Sequence, residues 1–284
     1  MYIIEDMNKK NKMYFLRVGI FLSVLLLCVF PAIAETLSND IGKYYESEKL
    51  PYRVSIFPIF NAADADFTFV KDNSVKNGYV ARLDARTSGL LKALPFGQVR
   101  QVLTSHMILS PDHKRLISRR FENVIYRNGR ESRRIISEFD YQKKTSSWTK
   151  YKEGKLNSQG TKEFPKEKYY DDPLCAFYNL RFGVYGDFEK GKKMTVSVLP
   201  QNKEKTITLN FASQKELNER KRTEKEYAAR EYMVIVNASD EVFQNRSGKI
   251  EIWFSKDRIP LEASVRGVLY VGNVRGYLQQ DKLK

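Results

Sequence analysis

The densest charge in the chain lies between residues 114 and 134. Lys114, Arg115, Arg119, Arg120, Arg127, Arg130, Arg133 and Arg134 stand there against only Glu122 and Glu131. Guanidinium groups in such number suit phosphate or carboxylate oxygens, which they can hold by paired N–H donors. Phe121, Tyr126 and the nearby Trp148 place aromatic faces among them. Arg115, Arg119, Arg120, Arg133 and Arg134 are therefore the candidate ligand-binding cations. The competing reading is an ordinary solvated outer face on a pair of strands.

Other chemistry is thinner. His106 and His113 are the only histidines, and a Ser110-Pro111-Asp112 turn separates them. With Asp112 they fall short of the donor set of a metal site. Neither sits in a Ser–His–Asp context, and no Gly-rich phosphate loop precedes a helix. The acidic pairs Asp64/Asp66, Asp171/Asp172 and Asp240/Glu241 offer paired carboxylates of the kind glycoside hydrolysis uses. Each pair sits at a turn or helix start, where Asp is favoured for capping. No catalytic residue, cofactor or metal is assigned on this basis. Cys175, flanked by Leu174, Ala176 and Phe177, reads as a buried structural thiol.

The elements that must position these residues are mostly strands. Ile250, Ile252 and Phe254 alternate with Lys249, Glu251 and Trp253, and Leu261, Ala263 and Val265 share one face of a following strand. Matching the apolar sets predicts Phe254 opposite Leu261, Ile252 opposite Ala263 and Ile250 opposite Val265. Asn128-Gly129 joins strand runs at about 115–126 and 133–141, the strongest short hairpin signal in the chain. A further hairpin is expected around Glu153-Gly154, then a polar loop over 158–168. Two short helices interrupt the pattern. One starts at Ser88 and stops at Pro95; the other is capped by Asp172 with Pro173 in its first turn and ends at Gly183. Residues 212–227 are charged enough for a solvated helix or a long loop.

About ten strand signals without βαβ alternation predict a mainly β protein. The expected architecture is a large antiparallel curved sheet or partly open barrel with two short helices. The apolar residues expected to line or fill its concave side are Phe177 and Tyr178 from the second helix, and Trp253 is a further candidate ligand contact. Whether that side is filled or roofed over separates a plain core from a carrier.

Four cations before an apolar run from Val18 to Phe30, then Pro31-Ala32-Ile33-Ala34, form a secretory signal peptide over 1–34 with cleavage between Ala34 and Glu35. The expected domain plan continues with a flexible arm at 35–50, one β-rich domain at 51–278 and a polar tail at 279–284. The formal charge is +15 over 284 residues. Export to the periplasm directs that charge towards lipid phosphate, lipopolysaccharide or acidic glycan, and away from nucleic acid. No transmembrane span is expected after cleavage.

Asp172-Pro-Leu-Cys-Ala-Phe-Tyr-Asn-Leu-Arg181, Glu251-Ile-Trp-Phe-Ser255, Ile259-Pro260, Pro51-Tyr-Arg-Val54, Ser88-Gly-Leu90 and Val271-Gly272 together resemble the exported bacterial family catalogued as domain of unknown function 3108. The resemblance runs over about residues 50–278. It implies a β-rich protein of the cell envelope and supplies no catalytic residues. A looser likeness, at the level of fold, is to half-barrel lipoprotein carriers of the periplasm. The expected function is non-enzymatic binding of a lipidic or anionic glycan ligand. The alternatives are an assembly factor that docks another envelope protein through a basic β face, and a cell-wall glycan hydrolase.

Overall fold

A computed structural model describes residues 39–283, apart from 57–58, 94–96, 166–167, 199–204, 224–229, 238–248 and 269–271. The signal peptide with its Ala34–Glu35 cleavage point, Pro58 and the Asp240/Glu241 pair lie outside the described residues.

The strands are β1 (Lys49–Ile56), β2 (Ile59–Asp72), β3 (Gly78–Thr87), β4 (Val99–Leu109), β5 (Leu116–Arg127), β6 (Arg130–Asp140), β7 (Thr145–Lys152) and β8 (Lys155–Glu163) in the first half. The second half holds β9 (Lys193–Val198), β10 (Lys205–Phe211), β11 (Tyr232–Asn237), β12 (Lys249–Phe254), β13 (Pro260–Val268) and β14 (Gly272–Leu278). They form one sheet in the order β8-β7-β6-β5-β4-β3-β2-β1-β14-β13-β12-β11-β10-β9. Two up-and-down meanders are thus joined where β1 pairs antiparallel with β14. No ladder among the described residues joins β8 to β9, so the sheet is not closed into a barrel.

The sheet nevertheless curls. The backbone N–H of Asp171 donates to Ser197 on β9, and the Tyr141 hydroxyl beside β6 donates to the Tyr170 carbonyl. In a flat sheet β6 and β9 would stand roughly 50 Å apart, at about 4.8 Å per strand. Adjacent residues can touch both only if the sheet wraps round.

Helix α1 (Ile41–Tyr45) corrects the expected flexible arm. Asp40 caps it, accepting from the N–H groups of Gly42 and Lys43, and Ile41 and Tyr45 are buried. His113 holds the other Asp40 oxygen at 2.7 Å, which assigns this histidine a structural partner. Helix α2 (Gly89–Ala93) is the short helix expected after Ser88, although the Ser88 hydroxyl donates to the Asn61 carbonyl. The expected polar loop at 158–168 is largely strand: β8 pairs with β7 at the sheet edge, where a solvated face needs no apolar alternation. In the 212–227 segment, Gln214–Thr223 form helix α4, opened by Ser213 and Glu216 in a reciprocal cap. Part of the expected tail docks, since Gln279 is buried and accepts from Arg53.

The β12–β13 register has Ile252 opposite Ala263 as expected, but a bulge sets Phe254 opposite Pro260 instead of Leu261. The inner faces of β1–β4 and β9–β14 share one core with α1 and with α3 (Pro173–Phe182). Helix α3 is buried on most of its circumference. Phe177 lies 5.1 Å from the Phe67 ring, and Tyr178 lies 4.5 Å from Phe69 and 4.9 Å from Tyr45, centroid to centroid. Such pairs add about 0.5–1.5 kcal/mol each beyond the area they bury.

Burying a helix obliges every polar group on it to find a partner. Asp172 Oδ1 accepts from the N–H groups of Leu174 and Cys175, and its Oδ2 accepts from the hydroxyls of Ser105 (2.6 Å) and Ser118 (2.5 Å). Asn179 meets the backbone of Leu116 through both its amide atoms, each at 2.9 Å. Arg181 donates to both Glu48 oxygens, at 2.7 and 2.9 Å, with its guanidinium over the rings of Tyr45 and Phe177. Asp171 accepts from Arg115 at 2.6 Å and from the Tyr185 hydroxyl.

Glu48→Gln leaves the Arg181 charge uncompensated in the core, and urea unfolding should show a loss of about 3 kcal/mol. Removing an acid from an exposed pair, as in Glu138→Gln, should cost less than 1 kcal/mol. Burial pushes the Asp172 carboxyl up to about 6, against the hydrogen bonds from Ser105 and Ser118. The folded state therefore holds this proton more tightly than the unfolded chain does. The resulting stability is full below about pH 4 and is lost as pH rises through 6. Wild-type stability measured relative to Asp172→Asn should accordingly fall by about 2 kcal/mol between pH 4 and 6.

Candidate functional site

Antiparallel Cα partners share a face of the sheet, so the register sorts the charges of β5–β8 into two faces. Leu103 and Met107 of β4 belong to the core and define the inner face. Leu103 pairs with Asn123, Asn123 with Ile135, and Ile135 with Lys150. The next row out reads Ile125, Arg133, Lys152 and Lys155. The row on the other side reads Phe121, Ser137, Trp148 and Gly160. Arg127 follows Ile125 on the same face, and Lys162 pairs with the inner-facing Ser146.

The result is a segregation of charge. Every carboxylate on strands β5–β8 (Glu122, Glu131, Glu138, Asp140 and Glu163) belongs to the outer face, while Arg127, Arg133, Lys150, Lys152, Lys155 and Lys162 share the inner one. Arg133 has Lys152 directly opposite and Arg127 and Lys150 on its diagonals. Like charges so placed repel. Burial lowers the pKa of the Arg127 and Arg133 guanidiniums, and burial together with the Arg133 charge lowers that of Lys150. Apolar side chains adjoin the cations: Ile125 is buried, and Ile135 and Trp148 are half-buried. The Trp148 ring lies across β8 at Gly160, where a Cβ would come within 2.8 Å of it, and the Lys150 ammonium sits 5.3 Å from the ring centre.

This wall lies far from α3. Leu116, which meets Asn179, and Arg127 stand at opposite ends of β5, about 35 Å apart at roughly 3.3 Å per residue. Two tight turns bound the cationic end. Asn128-Gly129 and Glu153-Gly154 all have positive φ, between 48° and 77°, as a two-residue hairpin with right-handed strand twist requires.

The residues singled out from sequence divide accordingly. Arg133 belongs to the inner wall. Arg120 bonds Glu122 and Glu138, and Arg134 bonds Glu131, so these two form ion pairs on the outer face. Arg119 is exposed at a bulge between β4 and β5. Arg115 is tied to Asp171 and lies over the rings of Tyr169 and Tyr185. Phe177 and Tyr178, expected to touch a ligand, are packed inside the core. Trp253, expected likewise, is fully buried on the outer face with Met233, beneath Leu217 of α4. None of these three side chains presents a surface to a ligand. Sequence reading missed Lys150 and Lys152, and it counted Arg127 in the basic stretch without placing it in the site. Their common signal is parity about the two turns.

Among the described residues no group of three or more His, Cys, Asp or Glu side chains is placed to hold a metal. Cys175 is buried, within 3.3 Å of the Leu116 carbonyl, and burial raises its thiol pKa well above the usual value. Asp66 pairs with Arg86, and Asp172 caps α3. No helix among the described residues is long and apolar enough to cross a membrane.

No curated protein matches the chain. Among solved structures it is similar to a β-barrel-like protein of domain of unknown function DUF1849 from Brucella abortus, with 12% identity and a TM-score of 0.44. That alignment covers 81% of this chain and 94% of the other. The family model described as protein of unknown function DUF3108 matches residues 51–279, and the chain belongs to that family.

Proposed function

We propose that this is a non-enzymatic protein of the bacterial periplasm that binds an anionic envelope ligand, lipidic or glycan, on the inner face of β5–β8. One observation carries the reading: the segregation of charge that leaves Arg127, Arg133, Lys150 and Lys152 together on a face without carboxylates. Such an arrangement costs stability, and a bound anion would relieve it. The N-terminal signal-peptide pattern supports export, which favours lipid or glycan anions over nucleic acid. Apolar neighbours of the cations suit a ligand with an apolar part beside its charge. Docking by strand addition is disfavoured at β8, because Lys155 and Lys162 are exposed along that edge and repel a pairing strand.

The test joins ligand retention to stability. Native mass spectrometry of the protein purified gently from periplasm, followed by organic extraction, should show a co-purifying anionic ligand in wild type. Arg133→Gln and Lys152→Gln should lose it, whereas Arg134→Gln on the outer face should keep it. In the ligand-free protein the same two inner-face changes should raise stability by about 0.5 kcal/mol each in urea unfolding, since each removes a like-charge contact. Bare wild-type protein, together with inner-face variants no more stable than wild type, would sink the reading.

A further inference from the structure

We infer that the anion held on the inner face is a phosphoryl group on an amphiphile, with its apolar portion laid along Ile135 and Trp148. The inference rests on the binding reading above and narrows it to one ligand class. Arg133 stands opposite Lys152 and diagonal to Arg127 and Lys150, so four cations lie within one or two residue spacings of each other. Direct cross-strand neighbours are about 5 Å apart and diagonal ones about 7–8 Å, which lets long side chains converge on a single anion.

A carboxylate brings one negative charge and two oxygens. It satisfies one guanidinium fork and leaves the other cations repelling. A phosphate monoester brings a charge of about −1.5 to −2 and three terminal oxygens. Those oxygens can accept from both guanidiniums and from an ammonium at once. The surroundings supply the rest of the fit. Half-buried Ile135 lies in the row of Lys150, and half-buried Trp148 lies one row further towards the core side. A headgroup at Arg133 therefore leaves an attached chain pointing along apolar side chains. The opposite end of the sheet cannot take that chain, because α3 fills it with Phe177 and Tyr178. A ligand held here is surface-laid at its chain end and is not enclosed in the α3 core.

The chain contains two tryptophans, Trp148 at this face and Trp253 buried beneath α4. Intrinsic fluorescence therefore reports on the site through Trp148 above a fixed background. We would titrate the purified protein with dodecyl phosphate, dodecanoate, dodecyl maltoside and inorganic phosphate, keeping the detergents below micelle formation. Dodecyl phosphate is expected to bind at least tenfold more tightly than dodecanoate, and dodecyl maltoside not to bind. Arg133→Gln combined with Lys150→Gln is expected to weaken dodecyl phosphate tenfold or more, and Arg134→Gln to leave it unchanged.

Equal affinity for dodecyl phosphate and dodecanoate, both weakened by the inner-face changes, would overturn the phosphoryl assignment and leave the anion-binding face intact. Binding that ignores the inner-face changes, or no binding of any anion, would overturn both. Inorganic phosphate displacing dodecyl phosphate with matching affinity would overturn the amphiphile and identify a soluble phosphate as the ligand.

Discussion

Burying a ten-residue helix inside a curled sheet is the constraint on which the rest of this structure depends. Backbone groups within α3 satisfy one another, but its capping Asp172 and its polar side chains Asn179 and Arg181 are buried away from water. Asp172, Asn179 and Arg181 answer that problem at three points along the helix. Each takes its partners from a different part of the chain: Ser105 and Ser118 from β4 and β5, Leu116 from the start of β5, and Glu48 from the segment before β1. Contacts this distant in sequence hold the sheet round the helix. The N-terminal segment folds with them, because Tyr45 and Glu48 complete the site in which Arg181 is buried.

That arrangement divides the concave side into two regions of different physics. Near α3 the interior is aromatic and packed, with Phe67, Phe69 and Tyr45 each against the Tyr178 ring. Towards the Asn128-Gly129 turn the inner face of β5–β8 changes to cations beside isoleucines. A packed core and a charged wall serve different ends. The first contributes stability through burial, whereas the second sets like charges against one another and lowers stability. A stretch that works against folding while its acids sit on the opposite face is the feature on which the proposed anion binding rests.

The outer face shows how the same composition behaves when it is neutralised. Arg82 and Arg100 meet Asp84, Arg86 meets Asp66, and Arg120 and Arg134 meet glutamates. These ion pairs are largely exposed, and each adds little to stability. They make the outer surface of the first meander nearly self-compensating, so the net positive charge is not spread evenly over the sheet. On the second meander, Trp253 and Met233 of the outer face lie beneath Leu217 of α4.

Strand pattern, turn chemistry and helix caps are local, and for that reason the amino-acid sequence by itself determined most of them, apart from the capped helix α1 and the solvated edge strand β8. Alternation placed the hairpins, Asn128-Gly129 marked a turn, and Asp172-Pro173 marked the start of α3. The Ser213 and Glu216 cap of α4 is equally local, although composition over 212–227 left helix and loop both open. Tertiary structure alone decided which arginines share a face. A bulge at Ser132 shifts the β5–β6 pairing by one residue, so Arg133 joins Ile125 on the inner face and Arg134 joins Val124 on the outer one. Continuing the turn register without that bulge would exchange the two. One extra residue in a ladder inverts every side chain beyond it, and no local propensity of Ser132 announces it. Depth was decided in the same way. Phe177, Tyr178 and Trp253 are aromatic in sequence whether they line a cavity or fill a core, and only the wrapping of distant strands round α3 and the seating of α4 buried all three.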